Sequence, residues 1–286
     1  MNAPDLAVLI VTYRSRADID ACLESVQRAV TNLTTEVVVI DNASGDGTVD
    51  AAERHAGVRV VALERNVGFG AAINVGLGVT TARYVLWMNP DGRLVGGNVA
   101  SLLAWMDEHV EVGVVGGKVL DPDGAVQRSV RAFPSYGAAI GHRYSLLTRL
   151  FPNNPWSRRY LRGDAVLDTP QPVDWVSGAL VLHRREVSDR LRGLDERFFM
   201  YVEDVDFCKR ATEAGWQVWF HPGVVMEHEI GGSSRQVNRA MIVARHRSMW
   251  RYYRKHFRQF LPKDAIVWVG IWGRCAWLWM SARVRR

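Results

Sequence analysis

The chain has 286 residues, of which 48% are hydrophobic and 23% charged, with a formal net charge of +6. That balance excludes a disordered or fibrous chain and leaves room for one large core with an appendage, while the positive charge favours nucleic acid, phosphorylated metabolites or anionic lipid headgroups as partners. Cys22, Cys208 and Cys275 are widely separated and lack CxxC spacing, which excludes a disulfide framework or a cysteine zinc site and fits a reducing cytoplasm.

Residues 1–6 are short and polar, so no signal peptide is predicted. The run Leu-Ala-Val-Leu-Ile-Val-Thr over 6–12 predicts a buried first strand ending in the loop Tyr13-Arg14-Ser15. A helix is predicted over 17–29, with Ile19, Leu23, Val26 and Val30 along one face. A second strand, 36–40, ends in a polar, glycine-punctuated loop from Asp41 to Thr48 and leads to a helix over 49–55. A third strand, 58–63, runs into Glu64-Arg65-Asn66-Val67-Gly68-Phe69-Gly70 and a helix over 71–77. The apolar run 84–88 then stops at Asn89-Pro90-Asp91-Gly92. Pro90 cannot donate to a strand ladder and Gly92 permits a tight turn, so the strand is predicted to end there, with Asn89 and Asp91 at the carboxyl edge of the sheet.

Strands alternating with helices over the first hundred residues predict a doubly wound, mostly parallel α/β sheet, whose carboxyl edge is where ligands bind. A Rossmann dehydrogenase would need its glycine fingerprint after the first strand, and Thr12 to Arg16 contains no glycine. The second half continues with a strand over 112–119, a turn at Asp121-Pro122-Asp123-Gly124, and a long aperiodic surface loop over 151–172 that reads equally as a lid or as an excursion without a role. A strand over 175–182, a helix from Glu203 through Ala214, and short strands over 218–220 and 224–226 complete it.

Asp91, Glu203, Asp204, Asp206 and His228 each stand at the end of an apolar element. A carboxylate with a histidine at a sheet edge suits Mg²⁺ or Mn²⁺ held together with phosphate oxygens, because such ions take few protein carboxylates and complete their shell with water and substrate. His228-Glu229 is not a zinc protease motif, since Gly232 stands where the second histidine belongs. Acids at a helix start also serve simply to balance its dipole, but an ionised carboxylate at a cleft can accept a proton from an alcohol.

The ordered series Val11-Thr12-Tyr13-Arg14-Ser15, Val39-Ile40-Asp41-Asn42-Ala43-Ser44-Gly45-Asp46-Gly47-Thr48, Asn66 through Asn74, Asn89-Pro90-Asp91-Gly92, Val176-Ser177-Gly178-Ala179 and Phe199-Met200-Tyr201-Val202-Glu203-Asp204 resembles the GT-A family 2 inverting glycosyltransferases, and among them bacterial L-rhamnosyltransferases acting on N-acetylglucosaminyl-diphospho-polyprenol. The resemblance spans about residues 6 to 255. It implies a GT-A fold, a dTDP-rhamnose or similar nucleotide-diphosphosugar donor, a polyprenyl-diphosphate-linked sugar acceptor, and Mg²⁺ or Mn²⁺. Carried over, it implies donor contacts at Tyr13, Asp41, Asn66, Asn74, Asn89 and Asp91, and acceptor contacts at Trp175, Gly178, Glu203 and Asp206. It further implies Asp91 and His228 as metal ligands and Asp204 as the base. The chain departs from the D-x-D pattern in having Asn89 first. Other dTDP- or UDP-sugars on other lipid-linked glycans remain open, as does a non-catalytic sugar-nucleotide-binding protein, although Asp204 argues against the latter.

From Arg239 onward arginines interleave with aromatics, and the tryptophan-rich run 265–280 is interrupted by Arg274 and too short to span a bilayer. An amphipathic segment lying on the membrane is predicted, peripheral on the inner face of the plasma membrane, with packing on the domain or a homodimer contact as the alternative. No nucleic-acid-binding motif accompanies the charge. The expected organisation is a GT-A catalytic domain over 1–238, with a nucleotide-sugar half at about 1–118 and an acceptor half at 119–238, followed by the membrane-association segment 239–286.

Overall fold

Strand β1 (Leu6–Thr12) is buried along its whole length, and an interior parallel strand needs helices over both of its faces. The computed structural model describes residues 3–134, 168–228, 239–257 and 261–284, and it supplies those helices. β1 pairs in parallel with β2 (Thr35–Asp41) on one side and β4 (Tyr84–Met88) on the other, and β2 pairs in parallel with β3 (Val58–Ala62). The right-handed crossovers such pairs require run through α1 (Ile19–Ala29), α2 (Thr48–Glu53) and α3 (Phe69–Gly78). Ile19, Leu23 and Val26 of α1 join the apolar cluster on one face of the sheet, and Ala72, Ile73 and Leu77 of α3 join the cluster on the other.

At Asn89–Asp91 the chain turns as predicted, but it does not leave the sheet for long. Strand β5 (Gly92–Gly97) begins at once and lies at the far edge, followed by α4 (Val99–Glu108), whose cap is the Asn98 side chain accepting from Ser101 N at 3.0 Å. Neither element is predicted from the sequence; β5 goes unread because Gly-Arg-Leu-Val-Gly-Gly is poor in strand formers. β6 (Val112–Leu120) follows, and β7 (Val130–Arg131) is short. Residues 151–167 of the predicted loop lie outside the described residues, and its end forms β8 (Gln171–Pro172). The single strand expected over 175–182 is two: β9 (Trp175–Val176), which pairs with β7, and β10 (Leu180–Arg184) in the main sheet. They separate because Ser177 N bonds to the Ser129 carbonyl and Gly178 N to Asp204.

After β10 come α5 (Arg185–Leu191), α6 (Glu203–Glu213) and β11 (Gln217–His228). β11 joins the two short strands expected there into one, with a register break between Phe220 and Val225 around Pro222, whose missing N–H interrupts the ladder. The main sheet has the order β3-β2-β1-β4-β10-β6-β11-β5, with β8 beside β11. Helices α7 (Arg239–His256) and α8 (Leu261–Val284) close the chain and pack on each other. Among the described residues no helix is long and apolar enough to cross a membrane.

Candidate functional site

The carboxyl ends of β1 and β2 are tied together by Asp41. Its carboxylate accepts hydrogen bonds from Thr12 Oγ1 at 2.7 Å, from Ser44 N at 2.8 Å and from Ser44 Oγ. Asn42 extends the tie toward β3, accepting from Val67 N at 3.1 Å and donating to the Gly68 carbonyl at 3.3 Å. Asn66 Oδ1 accepts from Gly68 N at 3.0 Å and so shapes the turn into α3. Tyr13 stands exposed on this rim with the Arg14 guanidinium 5.4 Å from its ring centre. These loops form the side of the edge onto which a flat ring could stack.

β4 delivers the next group. Asn89 Nδ2 lies 3.2 Å from His228 Nε2, and Asp91 Oδ1 lies 3.2 Å from the same nitrogen. His228 reaches this point because it ends β11 opposite Gly92. A Cβ on Gly92 would meet Met226 Sδ at 2.4 Å, so any larger residue there would have to displace the buried Met226 side chain. Gln127, not anticipated, donates to the His228 carbonyl at 2.6 Å and fixes the end of β11. His228 Nδ1 is buried with no hydrogen-bond partner among the described residues. Those residues contain no group of three or more His, Cys, Asp or Glu that could hold a metal ion. One carboxylate, one imidazole and one amide is therefore the donor set, which fits a divalent ion that takes its remaining ligands from phosphate and water.

The acidic pair stands at the start of α6. Asp204 Oδ2 accepts from Gly178 N and Oδ1 from Val205 N, each at 2.8 Å. Burial pushes Asp204 above the usual carboxylate value, against the pull of those two N–H groups and of the Arg131 charge. Burial, and then the neighbouring charge of Asp204, push Glu203 up to about 8. Glu203 is only 7% exposed, and its Oε2 has no hydrogen-bond partner among the described residues. Trp175 is buried beside this pair, donating from Nε1 to the Ala132 carbonyl at 2.9 Å beneath the Arg131 guanidinium.

The two groups share one edge of the sheet. β10 runs antiparallel to β4, with Leu180 opposite Met88, and Asn89 N donates to the Ala179 carbonyl at 3.1 Å. Ala179 adjoins Gly178, which holds Asp204. A short path of backbone therefore links the Asn89–Asp91–His228 cluster to Asp204.

Two expected site residues are otherwise engaged. Asp206 is 0% exposed, and its carboxylate takes hydrogen bonds from Arg210 at 2.7 Å, Lys255 at 2.9 Å and His256 at 2.8 Å. Burial alone would raise it, but those donors hold it below its ordinary value. The expectation that Asp206 contacts an acceptor is corrected: it anchors α7 to α6. Asn74 uses both ends of its amide on the Leu194 backbone, at 2.8 and 2.9 Å, and pins the segment before α6 to α3 instead of facing the edge.

A protein-family model described as Glycosyl transferase family 2 matches residues 7–179. That match ends just after Gly178, so Glu203, Asp204 and His228 lie beyond it. An N-acetylglucosaminyl-diphospho-decaprenol L-rhamnosyltransferase of Mycobacterium tuberculosis is 32% identical over 257 residues, covering 86% of this chain and 82% of the relative. Among solved structures, a mannosyltransferase of Pyrobaculum calidifontis in complex with GDP-Man and Mn²⁺ superposes with a TM-score of 0.59 at 18% identity, over 99% of this chain and 74% of that one. S. aureus TarS 1-349 superposes with a TM-score of 0.53 at 20% identity, over 84% of this chain and 65% of that one. At these identities the two structures speak to the fold alone.

Proposed function

The chain belongs to glycosyl transferase family 2, and from that premise we propose that it transfers L-rhamnose from dTDP-β-L-rhamnose to N-acetylglucosaminyl-diphospho-polyprenol, inverting the anomeric configuration. Its GT-A fold and its membership make it a glycosyltransferase; the sugar and the acceptor follow the mycobacterial relative. The observation that carries the reading is the backbone path from Asp91 through Asn89 and Ala179 to Gly178 and Asp204, which supports donor and acceptor chemistry on one sheet edge.

Tyr13 and the loop held by Asp41 flank the base of the nucleotide, and Asn66 lines its sugar side. Asp91 and His228, with Asn89, are the residues that would hold a divalent ion. Bound there, Mg²⁺ or Mn²⁺ supplies a Lewis acid that offsets the charge of the leaving diphosphate. Asp204 takes the proton from the acceptor hydroxyl as its oxygen bonds to the anomeric carbon and the bond to the nucleoside diphosphate breaks on the opposite face. The Gly178 and Val205 N–H groups hold that carboxylate in place and favour its ionised form against the effect of burial. Trp175 and Glu203 wall the acceptor side. Helices α7 and α8 rest on the cytoplasmic face of the bilayer that carries the polyprenyl acceptor.

The test incubates the enzyme and a synthetic N-acetylglucosaminyl-diphospho-lipid with a panel of dTDP- and UDP-sugars, with and without chelator. A rhamnosylated product from dTDP-rhamnose alone, lost with chelator, is expected; transfer only from another nucleotide sugar, or from none, overturns the reading. In the same assay Asp204→Asn is expected to lower kcat by roughly 10²–10⁴ with the donor KM unchanged.

A further inference from the structure

The residues just before Asp204 are held in a conformation they would not adopt alone. Tyr201 and Val202 have φ of 67° and 75°, two consecutive non-glycine residues in the left-handed region, and Val202 is β-branched. Such backbone persists only where its surroundings over-determine it. From the side of α3, Phe69 N donates to the Phe199 carbonyl at 2.9 Å. From the other side the constraint comes from α7. Ser248 Oγ donates to the Met200 carbonyl at 2.9 Å, and the Arg245 guanidinium sits 4.8 Å from the centre of the Tyr201 ring. One face of the same helix carries Lys255 and His256, which grip Asp206, and Lys255 also bonds Asp195 at 2.7 Å. Thus Phe199, Met200 and Tyr201 are each held from outside their own segment, and α7 holds two of the three.

We infer that Ser248 and Arg245 are positioning residues for the transfer reaction, acting on Asp204 through the strained Met200–Val202 backbone. The inference rests on the reading of Asp204 as the base. Relaxation of Tyr201 and Val202 to right-handed or extended backbone would rotate the first turn of α6 and draw the Asp204 carboxylate away from Gly178 N. The Asn89–Asp91–His228 cluster, built on β4 and β11, would not move with it. Loss of the α7 contacts therefore damages the proton-accepting step and leaves donor binding intact.

The experiment compares wild type, Ser248→Ala, Ser248→Thr and Arg245→Gln with a short-chain, water-soluble acceptor, so that membrane attachment does not enter, and uses Asp204→Asn as reference. Ser248→Ala and Arg245→Gln are each expected to lower kcat about fivefold, the effect of one modest hydrogen bond, with the donor KM and melting temperature unchanged. Ser248→Thr, which keeps the hydroxyl, is expected to restore kcat. A kcat within twofold of wild type in both variants overturns the inference, as does a loss that threonine does not rescue or that comes with a raised donor KM and a lowered melting temperature. An Asp204→Asn enzyme of full activity would instead remove the base assignment itself, and so separates the two failures.

Discussion

Glu203 and Asp204 are consecutive carboxylates with opposite electrostatic tasks. Asp204 has two backbone N–H donors and the Arg131 charge nearby, whereas Glu203 has a buried Oε2 without a donor among the described residues. Burial pushes both carboxyls above their ordinary values, and because they interact they release their protons as a pair. Glu203, with a folded value of about 8 against an unfolded value near 4.5, keeps a proton that the unfolded chain releases. Between those two values stability falls as pH rises. Glu203→Gln removes that residue's part of the slope, so the variant should lose less stability than wild type between pH 4 and pH 8. Denaturant unfolding at the two pH values measures it, and equal slopes for the two proteins would refute an upward shift of Glu203. Nothing in the local sequence tells which of Asp204 and Asp206 is free to act, since both are acids in the first turn of the same helix. What distinguishes them is Lys255 and His256, about fifty residues downstream, and pattern reading does not see such partners.

At the scale of elements, the strands and helices that end on the edge were legible because the strands are short, mostly apolar runs and the loops that follow them are polar, two of them punctuated by glycine. The turn at Asn89–Asp91 was legible for the same reason. Strand order was not: β10 pairs antiparallel with β4 and carries Gly178 to Asp204, an arrangement set by packing across ninety residues of chain. The entry to α3 shows how little slack these contacts leave. Gly68 has φ of +92°, and a Cβ there would lie 2.2 Å from the Phe199 carbonyl oxygen. Gly68→Ala must either strain its own backbone or push away the segment that leads to Asp204. The expected result is a loss of about 3 kcal/mol of stability together with a lower kcat. Thermal unfolding beside turnover reads both, and an alanine variant with a wild-type melting temperature would contradict the close approach.

Over the whole molecule the charge is divided. Residues 239–286 hold 12 of the 36 Lys and Arg but only 1 of the 30 Asp and Glu, so this segment stands at +11 and residues 1–238 at −5, which together make the chain's +6. Residues 1–238 are thus net acidic, and the basic character belongs to residues 239–286. On α7, Arg247, Arg251 and Arg254 are exposed at helical spacing, on a face that carries neither the Ser248 contact nor the Tyr253 bond to Asp264 of α8. On α8, Ile266, Val269, Trp277 and Met280 are 72%, 62%, 63% and 57% exposed, and their spacing forms one stripe on the side away from Cys275, which is buried. An apolar stripe on one helix beside a basic row on its neighbour suits the surface of an anionic bilayer, where each arginine contributes about 1 kcal/mol and tryptophan sits at headgroup depth. Vesicles containing phosphatidylglycerol should therefore co-sediment the protein, and neutral phosphatidylcholine vesicles should do so far less. Raising salt from 0.1 to about 0.5 M should release much of the bound fraction, because the Debye length shrinks well below 10 Å. Replacing Arg247, Arg251 and Arg254 together by Gln should weaken binding on the order of 100-fold, and Trp277→Ala should weaken it on both lipids. Turnover on a water-soluble acceptor should survive both changes, since the Ser248 and Arg245 contacts to the segment that holds Asp204 are left in place. If charge-neutral vesicles bind as tightly as anionic ones and the arginine replacements have no effect, the basic row has another partner and attachment through lipid charge is wrong.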